Sequence, residues 1–131
     1  MRALVVDDSR TMRRIVAGIL QGLGFETHEA EHGAAALALL ECGLEVDLAC
    51  IDWNMPVMDG LELVVRLRAT PAWRAITLMM VTTESEQDKI VRALAAGAHE
   101  YLLKPFGPEA LRDKLVLLGM IPAGVLAGDL A

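Results

Sequence analysis

The sequence predicts an α/β domain in which five parallel β-strands form a sheet with helices on both faces. Short β-branched or aliphatic runs alternate five times with segments of helical period, which is typical of repeated strand–helix units. Three of the runs are almost entirely apolar, as expected of strands that are covered on both faces. At 131 residues the chain has the length of a single domain with its own hydrophobic core.

Composition and charge exclude several classes of protein. Hydrophobic residues make up 54% and charged residues 23%, and the mean hydropathy is +0.42, which excludes intrinsic disorder. A formal charge of -6 disfavours nucleic acid as the main partner. The two cysteines, Cys42 and Cys50, are too few for a disulfide scaffold and fit no common zinc spacing. The low cysteine content favours a reduced, cytoplasmic protein. Neither a secretory signal nor a transmembrane segment is predicted, and we expect a monomer.

The polarity of the predicted strands indicates their places in the sheet. The strands are Ala3–Val6, Glu26–Ala30, Val46–Ile51, Ile76–Val81 and Glu100–Leu103. The first, third and fourth are apolar and should be central, whereas the polar second strand should lie at an edge, where charge discourages pairing with another sheet. His28, within this second strand, is expected to be solvated.

Five helices are predicted between and after these strands. They run from Met12 to Leu23, from Ala34 to Leu40, from Asp59 onward, from Ser85 to Gly97 and from Pro108 to about Leu118. The first has apolar residues at i, i+3, i+4 and i+7 and is stopped by Gly24. Asp59 and Glu62 form the pattern of a capping box, and Pro108 suits a first helical position.

Polar side chains follow four of the five predicted strands. Asp7 and Asp8 follow the first strand, and Asp52 follows the third. Thr82 follows the fourth strand and Lys104 follows the fifth. The carboxyl ends of parallel strands meet at one edge of a sheet, where ligands of such folds bind. For Asp7 and Asp8 alone, simple capping of the first helix by Asp8 is an equally good explanation.

The three carboxylates together require a cation. Like charges about 4 Å apart repel by roughly 4 kcal/mol at an effective dielectric constant near 20. The ammonium of Lys104 and a divalent ion are the available neutralisers, and a small set of oxygen ligands favours Mg²⁺ over calcium or zinc. A carboxylate, a metal ion, a lysine and a hydroxyl are the groups that catalyse phosphoryl transfer. Here Thr82 would donate a hydrogen bond, and Asp52 is the best-placed nucleophile.

These residues carry a resemblance to a known family. The characteristic segments are Asp52–Leu63, Asp7 with Asp8, Thr82 with Glu84 two residues later, Tyr101, and Lys104 followed by Pro105 and Phe106. In this order they resemble the receiver domain of two-component response regulators, closest to the stand-alone chemotaxis regulators of the CheY type. The resemblance implies a flavodoxin-like three-layer (βα)5 fold with strand order 2-1-3-4-5. It covers residues 1–120 and leaves residues 121–131 as an apolar C-terminal tail.

The resemblance also implies roles for the site residues. Asp52 would be the phosphoacceptor that takes a phosphoryl group from a phosphohistidine of a histidine kinase, assisted by Thr82 and Lys104. Asp8, Asp52 and the backbone carbonyl of Asn54 would hold Mg²⁺ directly, and Asp7 would act mostly through water. The protein would thus be a phosphoacceptor that assists its own phosphorylation and dephosphorylation, and not an enzyme. A cis bond between Lys104 and its following proline is implied as well.

A switch and a phosphoryl lifetime follow from the same resemblance. Movement of Thr82 toward the phosphoryl group would let the Tyr101 ring turn inward, which changes the surface of the fourth helix, fifth strand and fifth helix. That surface would bind an output partner such as the flagellar motor switch. Asn54 and Glu84 would tune how long the phosphoryl group persists, and Thr83, larger than the usual residue, would slow hydrolysis.

Other interpretations of the same residues stay open. An alternative interpretation of Tyr101 is that its ring only fills the core. Thr83 is an alternative to Thr82 as the active hydroxyl. Trp53 is expected to be a partly exposed ring beside the site, and Met55 and Met58 to pack within their loop. His32 and His99 are expected at the surface, where neither fits a metal geometry.

Other functions compete with the main hypothesis. A shuttle in a phosphorelay or a phosphate sink would use the same chemistry. An aspartyl-phosphate phosphatase would need a second aspartate two residues after the nucleophile, where this chain has Asn54. The apolar tail is expected either to pack on the domain or a partner, or to be a frayed terminus.

Overall fold

The structure, a computed structural model, describes residues 1–124 and contains a sheet of five parallel strands. The strands are β1 (Arg2–Val6), β2 (Glu26–Ala30), β3 (Leu48–Ile51), β4 (Thr77–Thr82) and β5 (Glu100–Leu103). Their order is β2-β1-β3-β4-β5, and every adjacent pair is parallel. The predicted fold is confirmed, with the three apolar strands in the centre and the polar second strand at an edge.

Helices connect the strands and follow the last one. They are α1 (Arg10–Gly22), α2 (Gly33–Glu41), α3 (Gly60–Ala69), α4 (Gln87–Ala96) and α5 (Pro108–Leu117), and a short 3-10 helix spans Pro71–Trp73. Ser9 is the N-cap of α1, since its hydroxyl accepts a hydrogen bond from the backbone N–H of Met12 at 3.2 Å. Asp8 therefore does not have the capping role that offered an alternative explanation for it.

Several predicted boundaries shift, among them the starts of β3 and α4. β3 starts at Leu48, not at Val46. Its pairing with β1 begins at Leu48, which lies opposite Ala3, the second residue of β1. The fourth helix starts at Gln87 with Glu86 in the N-cap position, so the prediction that Ser85 marks its start is wrong by two residues. The backbone is still extended at Glu86, with φ -65° and ψ 130°.

The core has two parts, one on each face of the sheet. Buried side chains of α1 and α5, such as Leu20 and Leu111, pack on one face. Buried side chains of α2, α3 and α4, such as Leu37 and Leu63, pack on the other. Full burial of one such aliphatic side chain contributes about 1.5–3 kcal/mol. The strands of the central sheet supply alternate residues to each part, so the edge that carries the functional residues is held rigidly.

The histidines lie outside the core. His28 on β2 keeps 34% of its side chain exposed. His32 is the N-cap of α2, where its Nδ1 accepts a hydrogen bond from the N–H of Ala35 at 3.0 Å. His99 is an exposed residue, but its Nδ1 accepts a hydrogen bond from the backbone N–H of Leu78 at 3.0 Å. His32 and His99 therefore have structural roles that the sequence pattern did not indicate.

The described part of the tail continues from α5 onto the domain. Ile121 is buried and belongs to the core part formed with α1 and α5. Residues 125–131 of the predicted tail lie outside the described residues.

Within residues 1–124, helices long and apolar enough to cross a membrane are absent. The peptide bond between Lys104 and Pro105 is cis, as the resemblance implied.

Candidate functional site

The polar residues at the strand ends meet at one edge of the sheet, as predicted. Asp7 directly follows β1 and Asp52 directly follows β3, its neighbour in the sheet. The carboxylates of Asp7, Asp8 and Asp52 each offer an oxygen atom, and these oxygens all lie within 4.8 Å of one another. The edge of the sheet therefore places three acidic groups around a single point.

Lys104 supplies positive charge to this cluster. Its Nζ lies 2.7 Å from Oδ2 of Asp7 and 3.6 Å from Oδ2 of Asp52. Asp7 and Asp52 are buried, whereas Asp8 is exposed. The other oxygen of Asp7, Oδ1, accepts a hydrogen bond from the N–H of Ser9 at 2.8 Å. Both oxygens of Asp7 are thus engaged by protein donors, and Asp8 and Asp52 present the freer carboxylate oxygens.

The environment of Asp52 makes its carboxylate more basic. Burial raises the pKa of Asp52 above its ordinary value, and the negative charges of Asp7 and Asp8 act in the same direction. A hydrogen bond from the Thr82 hydroxyl and the charge of Lys104 lower the pKa but do not cancel the effect of burial. A carboxylate with a raised pKa that still has hydrogen-bonding and cationic neighbours is suited to act as a nucleophile.

The start of α3 fixes the backbone next to Asp52. Asp59 is the N-cap of α3, and its Oδ1 accepts a hydrogen bond from the N–H of Glu62 at 2.8 Å, which is one of the two hydrogen bonds of the predicted capping box. The carboxylate of Glu62 pairs with Arg66 at 3.5 Å. The N–H of Gly60 donates to the carbonyl oxygen of Trp53 at 2.8 Å. A Cβ atom at position 60 would collide with the backbone of Asp52 and Trp53. Only glycine lets the helix approach the site this closely.

Trp53 is buried, and the expectation of a partly exposed ring is wrong. Only 6% of this residue is exposed, and its ring belongs to the core part that packs on α2, α3 and α4. The loop between β3 and α3 turns back sharply, with Val57 at a φ of 69°, and the close approach at Gly60 brings it against the sheet. Met58 is buried in the same core part, and Met55 packs against it.

Thr82 and Tyr101 lie on the β4 and β5 side of the cluster. Thr82 is fully buried and its hydroxyl faces Asp52, whereas Thr83 is exposed. Tyr101 is buried, and its hydroxyl donates a hydrogen bond to the carbonyl oxygen of Glu84 at 2.7 Å. Burial raises the pKa of Tyr101 to about 12, with a further contribution from the charges of Glu84 and Asp52. The ring therefore occupies the inward position in this structure.

A set of contacts at the rim of the site was missed by the sequence analysis. Nδ2 of Asn54 donates to Oε1 of Glu84 at 3.0 Å, and Nζ of Lys89 donates to Oε2 of Glu84 at 2.8 Å. The ammonium of Lys89 also lies 5.8 Å from the centroid of the Trp53 ring. The sequence signal for Lys89 was weak, since it is a single lysine in the first turns of a helix whose orientation depends on packing.

The donor set fits a hard divalent cation. Three carboxylates that follow two neighbouring strands converge, and oxygen ligands of this kind are those that Mg²⁺ prefers. The freer oxygens of Asp8 and Asp52 and the exposure of Asp8 leave room for an ion that keeps part of its water shell. The residues at the site are thus suited to Mg²⁺.

The fold and the site define a receiver domain. Residues 3–116 match the family described as response regulator receiver domain, and the chain belongs to this family. It is 46% identical over 121 residues to the chemotaxis protein CheY1 of Helicobacter pylori strain J99, covering 91% of this chain and 98% of that protein. It is 47% identical over 116 residues to a chemotaxis protein CheY homolog of Campylobacter jejuni, covering 88% of this chain and 89% of that protein.

Solved structures show the same relationship. The Vibrio cholerae chemotaxis protein CheY4 superimposes with a TM-score of 0.82 at 37% sequence identity, covering 88% of this chain and 96% of that chain. The chain is therefore a CheY-like receiver domain, in agreement with the resemblance drawn from its motifs.

Proposed function

We propose that the chain is a stand-alone response regulator that is phosphorylated on Asp52 by a histidine kinase in an Mg²⁺-dependent reaction. The observation that carries this proposal is the convergence of Asp52 with Thr82 and Lys104 beside two further carboxylates. The similarity to chemotaxis proteins over about nine-tenths of the chain supports the stand-alone role. We propose a cytoplasmic location on the basis of the similarity to chemotaxis proteins.

Asp8, Asp52 and the backbone carbonyl of Asn54 would hold the metal ion directly. Asp7 would act through water, because its two carboxylate oxygens already accept hydrogen bonds from Ser9 and Lys104. When bound, Mg²⁺ supplies positive charge that offsets the negative charge of the phosphoryl oxygens.

The side chains of this protein account for the transfer itself. A carboxylate oxygen of Asp52 attacks the phosphorus of the phosphohistidine, so that an O–P bond forms while the N–P bond breaks and its electron pair returns to the imidazole of the kinase. Lys104 and the Thr82 hydroxyl bind the phosphoryl oxygens, which lowers the energy of the negatively charged transition state. Hydrolysis later returns Asp52 to its free form, so the protein acts as a phosphoacceptor that assists its own phosphorylation and dephosphorylation.

The output of the switch is a change in affinity at the surface formed by α4, β5 and α5. Exposed apolar side chains on this surface, Val91, Leu94 and Leu103, support its role in binding a protein. Tyr101 on β5 and Glu84 before α4 connect this surface to the site. The partner is proposed to be the flagellar motor switch, because the similar proteins are chemotaxis proteins.

The test is incorporation of phosphate from a small donor, such as acetyl phosphate or phosphoramidate, in the presence of Mg²⁺. Wild-type protein should acquire one acid-labile phosphate per chain, and Asp52→Asn should acquire none while retaining its circular dichroism spectrum. Lys104→Ala should still be labelled but should fail to change partner affinity, as measured by pull-down with beryllofluoride-loaded and unloaded protein. Acid-labile label on Asp52→Asn would show that the acceptor is elsewhere.

A further inference from the structure

Glu84 joins two loops and a helix through its carboxylate. Oε1 accepts a hydrogen bond from Asn54 in the β3–α3 loop at 3.0 Å, and Oε2 accepts one from Lys89 in α4 at 2.8 Å. The ammonium of Lys89 lies in addition over the ring of Trp53. We name Asn54, Glu84 and Lys89 the rim row, since together they form a continuous line of polar contacts beside the phosphoacceptor.

The rim row crosses the gap between the two loops that border Asp52. Asn54 lies two residues after Asp52, and Glu84 lies two residues after Thr82. The strands that precede these loops, β3 and β4, are neighbours in the sheet. Asp52 is only 8% exposed. Water that approaches its carboxylate from this side must therefore pass the rim row.

We propose that Lys89 is a positioning residue that sets the lifetime of the phosphoryl group on Asp52. This inference rests on the proposed phosphorylation of Asp52. In hydrolysis a water oxygen attacks phosphorus, the P–O bond to Asp52 breaks with its electron pair returning to the carboxylate, and the protons of the water pass to the phosphate product and to solvent. The attacking and leaving oxygens are roughly in line, so the water enters from the side away from Asp52. Lys89 contacts none of these atoms and acts by keeping Glu84 and Asn54 across the gap.

The charges around Glu84 explain why Lys89 is needed. A phosphoryl group on Asp52 adds negative charge close to the Glu84 carboxylate, and like charges repel. The Lys89 ammonium offsets this repulsion from a partly buried position, with 29% of its side chain and 21% of that of Glu84 exposed. The face of the buried Trp53 ring attracts the same ammonium. Without Lys89, the carboxylate of Glu84 is repelled outward, its bond to Asn54 is lost and the gap opens.

The experiment measures the loss of label after phosphorylation. Full-length wild-type protein, Lys89→Met and Lys89→Arg are labelled with radioactive phosphoramidate and Mg²⁺, freed of donor by rapid gel filtration, and followed as acid-labile phosphate. The rate constant of loss should rise about two- to fivefold in Lys89→Met, the size expected for a partly exposed ion pair. Lys89→Arg should restore a lifetime close to that of the wild type, because the guanidinium keeps the charge and the hydrogen-bond donors.

A matched variant and the labelling step itself make the result decisive. Arg66→Met changes the net charge by the same amount and breaks an ion pair with Glu62, 3.5 Å long, within α3. Because this pair makes no contact with the rim row, the phosphoryl group should persist as long on this variant as on the wild type. An unchanged or longer phosphoryl lifetime in Lys89→Met, or an equally short one in Lys89→Arg, would overturn the proposed role of Lys89 and leave the proposed phosphorylation of Asp52 intact. A wild-type chain that takes up no label would instead overturn the proposed function.

Discussion

The hydroxyl of Tyr101 donates a hydrogen bond to the backbone carbonyl oxygen of Glu84 at 2.7 Å. This bond connects β5 to the loop between β4 and α4. The same loop carries the Glu84 carboxylate that contacts Asn54 and Lys89. The position of the aromatic ring and the conformation of the loop at the site are therefore coupled through one residue.

Tyr101→Phe should lower the free energy of unfolding by about 1 kcal/mol, the usual net contribution of one hydrogen bond. The ring stays buried in this variant, so the change isolates the hydroxyl. Urea denaturation followed by far-UV circular dichroism measures the effect. A variant as stable as the wild type would show that the bond to Glu84 contributes nothing in solution.

The ionisation of Tyr101 provides a second measurement on the same contact. Because the chain contains a single tyrosine, absorbance near 295 nm during a pH titration reports on Tyr101 alone. Burial and nearby negative charge raise its pKa to about 12. We expect the folded protein to titrate near that value and the urea-unfolded chain near the ordinary value of 10.0. A midpoint at the ordinary value in the folded protein would contradict the buried position of the ring.

Much of this architecture was predictable from the sequence because burial leaves few choices. β1, β3 and β4 are apolar on both faces and had to be central, and Asp7 and Asp52 follow two of these strands directly. The burial of Trp53 was not predictable, since it depends on how closely α3 approaches at Gly60. Lys89 was missed for a similar reason, because its partners come from two other segments that meet only in the folded domain.

Gly60 and Gly18 make a matched pair that tests the close approach of α3 to the site. A Cβ atom on Gly60 would collide with the backbone of Asp52, whereas at Gly18, inside α1, there is nothing within 4 Å. Gly60→Ala should therefore lower the free energy of unfolding by about 1–3 kcal/mol, and Gly18→Ala should raise it by about 0.5–1 kcal/mol. Thermal unfolding followed by circular dichroism distinguishes the two signs. Equal stabilisation by both substitutions would mean that the backbone at Gly60 is not confined.

Removal of Lys104 should strengthen metal binding. Its ammonium is the cation that the structure places between Asp7 and Asp52, so it competes electrostatically with a divalent ion. Lys104→Met leaves the three carboxylates with unrelieved repulsion, and the affinity for Mg²⁺ should rise roughly tenfold. Isothermal titration calorimetry with MgCl₂ measures this. Lys114→Met, which removes an equal charge from an ion pair with Glu100, should bind Mg²⁺ like the wild type, and weaker binding by Lys104→Met would refute the competition.

A further pair of residues, Arg68 and His99, connects the elements at the other end of the sheet. The guanidinium of Arg68 donates to the carbonyl oxygens of Gly97, Arg74 and Ile76, each at 2.9 Å. It also lies 3.0 Å from Nδ1 of His99, the atom that accepts a hydrogen bond from the N–H of Leu78. Nδ1 accepts that bond only while it is unprotonated, so the contacts require a neutral imidazole.

Protonation of His99 should therefore destabilise the fold. Partial desolvation of the ring, on the side that packs against Leu78 and Arg68, lowers the pKa of His99 below its ordinary value of 6.5, and the charge of Arg68 acts in the same direction. Well above pH 6.5 the ring is neutral in both folded and unfolded chains, and its contribution to stability is complete. As the pH falls through 6.5 the unfolded chain binds the proton first, so this contribution declines until the lowered folded pKa is passed.

The variant His99→Asn isolates this effect, because the side-chain oxygen of asparagine can accept the same hydrogen bonds but does not titrate. The free energy of unfolding is measured by urea denaturation from pH 8 to pH 5 for both proteins. The two should differ little at pH 8, and the wild type should lose more stability than the variant on acidification. Parallel pH profiles would show that His99 is not held in its neutral form by Leu78 and Arg68.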